Sequence, residues 1–155
     1  MKIITRLITY FLAIPFLVCD LWKLKEYTSN AIIKTAYYAK LKFEGGYLGH
    51  LSKIDGKLIL PHGFKGVFIS GGAVIGANCT IYQHVTIGSN TMENSKRFGC
   101  PTIGNNVFIG AGAIIIGNVK VGNDCKIGAG AVVVENVPDG ATVVAPKALI
   151  IREER

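Results

Sequence analysis

Three histidines are the residues of this chain best suited to move protons at neutral pH, because imidazole titrates near neutrality. His62 lies in the segment LPHG at positions 60–63, and His84 directly follows Gln83. We interpret His62 as the candidate general base. His84 is a second catalytic candidate, either as the base itself or as a group that contacts or orients the substrate. His50 lies ahead of both, and we expect it to be solvated or structural.

The segments that must position these histidines repeat with a period of six residues. From Ile54 onward an aliphatic residue recurs at every sixth position, with two interruptions, and a small or apolar residue follows most of them four positions later. This period fits neither an α-helix nor an isolated strand, so it predicts a mainly β chain whose flat rungs stack into a parallel β-helix. The aliphatic series is Ile54, Leu60, Ile69, Ile75, Ile81, Ile87, Ile103, Ile109, Ile115, Val121, Ile127 and Val133. The second series is Leu58, Ala73, Cys79, Val85, Val107, Ala113, Val119, Cys125, Ala131 and Val137.

The same period relates the candidate residues to one another. Three repeats make one coil, so Gln83 is expected one rung above His62, at a strand spacing of roughly 4.8 Å. The two interruptions predict a short bulge with Phe64 at residues 63–66 and a longer loop from Ser89 to Thr102. Inserted residues project from a regular stack, so we expect function at these two places.

Composition limits the partners and cofactors. The chain has 155 residues, half of them hydrophobic, and nineteen glycines, which suits one turn-rich domain. Its net charge is +7, but the basic residues are dispersed without a nucleic-acid motif, so no nucleic-acid partner is expected. The four cysteines show no CxxC spacing, which favours neither a metal site nor a disulfide framework. A cytoplasmic setting is therefore predicted.

The chain divides into three parts by pattern. Residues 1–45 lack the repeat and are predicted to be helical, with helices near 3–22 and 28–42; residues 46–148 form the β-helix; residues 149–155 are a tail.

Within the first part, an uncharged apolar run extends from Leu7 to Cys19, interrupted by Pro15. It is too short to span a bilayer. Two interpretations stay open: packing on the β-helix or on neighbouring subunits, and peripheral contact of residues 1–25 with the inner face of the membrane.

Two segments resemble a known family. IGAGAIIIGNVKVGNDCKIGAGAVV at residues 109–133 and IYQHVTIG at residues 81–88 resemble the hexapeptide-repeat acyltransferases, most closely the serine O-acetyltransferase branch and its relatives in bacterial surface-polysaccharide loci. The resemblance covers roughly residues 50–148. It implies a left-handed β-helix of about four coils, a homotrimer, acetyl-CoA as donor and active sites between neighbouring subunits.

The resemblance also implies roles for individual residues. His62 matches the family's catalytic histidine, and Gln83 matches a glutamine common in the family. Ala111 and Ala129 match small residues that line the CoA groove, and Ser89 lies at the position of its thiol end. Lys126 and Lys147 are candidates for binding the CoA phosphates. The aspartate that orients the histidine in the family has no counterpart here, so Asp55, Glu44 and a backbone carbonyl stay open for that role.

The acceptor is predicted from departures from the family pattern. Pro61 replaces an aspartate, and Gly99 and Cys100 replace an Arg-His pair that serine acetyltransferases carry. We therefore expect transfer of acetyl to a sugar hydroxyl of a bacterial surface polysaccharide, contacted by residues Gln83, Phe64, Tyr82 and Cys100. The alternatives are serine O-acetyltransfer in cysteine biosynthesis and a non-catalytic β-helix scaffold.

Overall fold

The computed structural model describes residues 38–151. A helical turn at 38–43 leads into fourteen short strands, β1 to β14. They are β1 Tyr47–Leu48, β2 Lys53–Ile54, β3 Leu58–Ile59, β4 Phe68–Ile69, β5 Val74–Ile75, β6 Cys79–Ile81, β7 Thr86–Gly88, β8 Thr102–Ile103, β9 Phe108–Ile109, β10 Ile114–Ile116, β11 Lys120–Val121, β12 Lys126–Ile127, β13 Val132–Val133 and β14 Thr142–Val143.

The strands wind around three faces. Almost every strand pairs in parallel with the strand three places later in the chain. The first face has the order β1-β4-β7-β10-β13, the second β2-β5-β8-β11, and the third β3-β6-β9-β12-β14. The predicted parallel β-helix is therefore confirmed.

The core consists of the side chains that the six-residue period selects. All twelve aliphatic positions are buried, and the most exposed of them, Ile54 and Leu60, reach only 7%. All ten small or apolar positions are buried as well, up to 8% for Val137. Successive side chains of a strand alternate inward and outward, so each face contributes a column of aliphatic residues to the core.

The repeat starts earlier than the sequence pattern predicts. Leu48, six residues before Ile54, is 1% exposed and pairs in register with Ile69. The residue four positions after Leu48 is Ser52, whose polar side chain hides the repeat. Ser52 is nevertheless buried, and its Oγ donates to the Gly49 carbonyl at 2.6 Å.

The first and last parts of the chain are described only in part. Helical residues 38–43 bring Leu41 into the core cluster. The rest of the predicted helices, the segment 1–25 considered for membrane contact, and residues 152–155 lie outside the described residues. Within 38–151 no helix is long and apolar enough to cross a membrane.

Candidate active site

One corner of the prism carries most of the predicted site. Here the chain passes from the third face to the first, at residues 61–66, 82–85, 110–113 and 128–131, which we call the site corner. Backbone bonds stack these turns: Gly112 N donates to Gln83 O at 3.0 Å, and Gly130 N to Ala111 O at 2.9 Å. Strand register then places Gln83, Ala111 and Ala129 in one column.

His62 joins this column at its lower end. The exposed ring lies in the bulge, and its Nδ1 is 2.7 Å from Oε1 of Gln83, the neighbour that the repeat register predicts. Tyr82 presents its ring edge-on to His62, with centroids 5.6 Å apart. Because Nδ1 is engaged, Nε2 is the nitrogen left to exchange protons with a substrate.

Glu44 holds the bulge rather than the imidazole. Its Oε2 accepts from Phe64 N at 2.8 Å, and its backbone carbonyl accepts from Gly66 N at 3.2 Å. Lys40 lies 3.8 Å from the other carboxylate oxygen. Asp55, the other carboxylate considered for orienting His62, belongs to the corner between the second and third faces.

The position of Phe64 contradicts its predicted role as a substrate contact. Its side chain is 1% exposed and belongs to the core cluster. The residue stands four positions after Leu60, which is an inward position of the repeat. The insertion projects at His62 and Lys65, while Phe64 keeps the inward orientation and fills the end of the core.

His84 adopts a backbone conformation that elsewhere at this corner belongs to glycine. Its φ is 59°, beside 63° for Gly66, 67° for Gly112 and 67° for Gly130. The exposed imidazole lies over Gly66, where a Cβ would overlap Nδ1 of His84. A non-glycine residue held at positive φ costs free energy and is enriched at functional sites.

The rest of the column is open. A Cβ added at Gly112 or at Gly130 would meet nothing within 4 Å. Ala111 is partly exposed, and Ala129 is exposed. Bare backbone and small side chains therefore line this part of the site corner. Lys126 and Lys147 are exposed, Lys126 on strand β12 of the third face and Lys147 beyond β14.

The long loop, residues 89–101, leaves from a different corner, where the first face passes to the second. An antiparallel bridge closes its base, with Asn90 N donating to Gly99 O at 2.8 Å and Gly99 N to Asn90 O at 2.9 Å. Asn118 N also donates to Arg97 O at 2.9 Å, which docks the loop on the next coil. Within one chain, Ser89 and Cys100 therefore stand across the first face from His62, and the structure does not bring them together.

The three cysteines of the described residues lie outside the site corner. Burial raises the pKa of the Cys79 thiol, which is a core side chain 3.1 Å from the Gly104 carbonyl. No cluster of three or more His, Cys, Asp or Glu side chains that could hold a metal ion occurs between residues 38 and 151.

Comparison with known proteins identifies the repeat. Residues 100–134 match the family described as bacterial transferase hexapeptide (six repeats). The matched segment runs from β8 to β13 of the β-helix. Serine acetyltransferase of Staphylococcus epidermidis is 37% identical over 136 residues, covering 86% of this chain and 60% of that protein. Serine acetyltransferase of Staphylococcus aureus strain N315 is 43% identical over 103 residues, covering 66% of this chain and 47% of that protein.

The solved structures to which the chain is similar include serine acetyltransferases as well. Soybean serine acetyltransferase in its apo form superposes with a TM-score of 0.70 at 31% identity, covering 88% of this chain and 57% of that chain. Isoform 3 from Entamoeba histolytica, in complex with cysteine, gives 0.66 at 32% identity, covering 80% and 44%. The chain thus spans about half the length of the relatives it matches.

These relatives overturn the predicted sugar acceptor. That prediction was wrong because it gave three replaced positions, Pro61, Gly99 and Cys100, more weight than the remainder of the β-helix. The relatives named above are serine acetyltransferases, which favours the alternative of serine O-acetyltransfer. The replacements remove particular side chains from the two loops while the scaffold that presents His62 is kept.

Proposed function

We propose that this chain transfers acetyl from acetyl-CoA to the hydroxyl of serine. The observation that carries the proposal is the exposed His62 ring, bonded to Gln83 at 2.7 Å, at the end of the open column. The choice of donor and acceptor follows the serine acetyltransferases to which the chain is similar. A scaffold role gives no reason for a bonded, solvent-facing imidazole beside bare backbone.

The chemistry follows from the free nitrogen of His62. Nε2 takes the proton of the serine hydroxyl as its oxygen attacks the thioester carbonyl. The C–O bond forms, the carbonyl electrons move to the oxygen, and the tetrahedral intermediate collapses with cleavage of the C–S bond. The imidazolium returns its proton to the CoA thiolate. His84, exposed and one residue beyond Gln83, is proposed to contact the acceptor.

The donor is proposed to lie along the site corner. The pantetheine arm would pass Ala111 and Ala129, where Gly112 and Gly130 leave backbone uncovered. Lys126 and Lys147 are proposed for the CoA phosphates.

We also propose a homotrimer of left-handed β-helices. The long loop and His62 lie on opposite edges of the first face, so a site that uses both needs the loop of a neighbouring copy. On this arrangement Ser89 and Cys100 reach the site from the adjacent subunit. The donor and the free thiols of Cys79, Cys100 and Cys125 suit a cytoplasmic enzyme.

The test is a direct assay. Purified protein is incubated with acetyl-CoA and millimolar serine, and CoA thiol release and the mass of the amino-acid product are followed. We expect O-acetylserine in proportion to CoA released, and its loss in His62→Ala. Failure to form O-acetylserine, with folded protein present, would refute serine as the acceptor.

A further inference from the structure

We propose that Gln83 is the positioning residue that fixes the tautomer of His62, a role taken by a neutral amide instead of a carboxylate. The kinetic part of the inference rests on the proposed acetyl transfer. The tautomer of His62 is inferred from the structure alone. The two atoms concerned, His62 Nδ1 and Gln83 Oε1, are 2.7 Å apart.

The hydrogen bond decides which nitrogen carries the proton. An amide oxygen only accepts, so a neutral imidazole bonded to it through Nδ1 must carry its hydrogen there. Nε2 then presents a lone pair, which a general base requires. If the amide were reversed, its NH₂ group would donate to Nδ1, and Nε2 would carry the hydrogen and be unable to accept the hydroxyl proton. The orientation of Gln83 is therefore coupled to catalysis.

The backbone of Gln83 is held in place beside His62. Its backbone carbonyl accepts from Gly112 N at 3.0 Å, so the coil above fixes its backbone position. The side chain is partly buried, and the adjacent Tyr82 ring packs edge-on to His62 and at 5.3 Å from the Phe108 ring. The side chain of Gln83 therefore extends from a fixed backbone position, next to the packed rings of Tyr82 and Phe108.

The charged and titratable groups around His62 do not offer a competing partner. From the end of the helix, Glu44 is bonded to Phe64 N and pairs with Lys40. On the bulge itself, Lys65 uses its backbone carbonyl to receive His84 N at 2.9 Å, and its side chain is exposed. From the next coil, the His84 ring lies over Gly66. Among residues 38–151, the hydrogen-bond partner of the His62 ring is Oε1 of Gln83.

The first test reads the tautomer directly. Long-range 1H–15N NMR of imidazole distinguishes a protonated Nδ1 from a protonated Nε2, and three histidines make assignment by His50→Gln and His84→Gln simple. We expect neutral His62 to carry hydrogen on Nδ1 in the wild type and to lose that preference in Gln83→Leu. A wild-type ring protonated on Nε2, or a preference unchanged in Gln83→Leu, would overturn the inference.

The second test uses kinetics. We expect Gln83→Leu to lower kcat by roughly 10- to 100-fold, part of what a general base contributes, with KM for acetyl-CoA within about twofold. Gln83→Glu restores an acceptor for Nδ1, so most of kcat should return. Its carboxylate stabilises the imidazolium, so the acidic limb of the pH–rate profile should move to higher pH by about one unit. If Gln83 had only a structural role, Gln83→Glu would neither shift the pH–rate profile nor restore kcat.

Asn105→Leu is the matched control, since it removes an amide that accepts from Ala77 N at 2.8 Å at another corner. Wild-type kcat and pH profile in both Gln83 variants, with active protein, would overturn the inference while serine transfer stands. Absence of serine transfer would remove the proposed function, and the NMR result would still decide the role of Gln83.

Discussion

The carboxylate of Glu44 accepts a hydrogen bond from the backbone N–H of Phe64 at 2.8 Å. This contact ties the residue that follows the helical turn to the bulge that carries His62. The helical segment is therefore part of the framework of the candidate active site, although none of its side chains bonds the imidazole in the described residues.

Glu44→Ala should lower kcat about tenfold and stability by about 1–2 kcal/mol, because a buried backbone N–H loses a charged acceptor. Glu44→Gln keeps an acceptor oxygen and should retain most of both. Steady-state assays and thermal unfolding of the two variants check this. Equal loss in both variants would show that the charge of Glu44, and not its hydrogen bond, holds the bulge.

His62→Ala should lower kcat by at least ~100-fold, the usual contribution of a general base. His50→Ala is the control, since the exposed His50 lies at the corner between the first and second faces. Circular dichroism and oligomer size should be unchanged in both. Near-normal turnover in His62→Ala, together with an inactive His84→Ala, would transfer the role of base to His84.

His84→Gly should raise stability by about 0.5–1 kcal/mol while lowering activity, because glycine adopts positive φ without a Cβ penalty. His84→Ala keeps the penalty and should lower activity without stabilising the fold. Chemical denaturation beside the acetyl-transfer assay separates the two effects. A His84→Gly protein that is no more stable would contradict the assigned strain.

Ala129→Phe should raise KM for acetyl-CoA about tenfold without unfolding the protein, because Ala129 is exposed in the column proposed for pantetheine. Lys57→Phe places the same ring at an exposed position of the corner between the second and third faces, and serves as the control. Initial rates over a range of acetyl-CoA concentrations provide the measurement. Unchanged KM in Ala129→Phe would place the donor elsewhere.

The sequence period predicted the core and the stacking of Gln83 on His62, because inward aliphatic side chains leave little freedom in strand register. It did not show that Phe64 turns inward, since the insertion hid the count from Leu60. Ser52 concealed the first repeat because a hydrogen bond to Gly49 allows a polar group at a buried position. The contact of Glu44 with the bulge depends on tertiary packing across twenty residues, which no local pattern records.

The separation of His62 and the long loop on opposite edges of the first face has a genetic consequence. If neighbouring copies share each site, a chain lacking His62 still donates an intact loop, and a chain with a shortened loop still donates an intact His62. Two inactive alleles of these kinds, expressed together, would restore part of the activity through mixed assemblies. Such complementation would be absent if every chain worked alone.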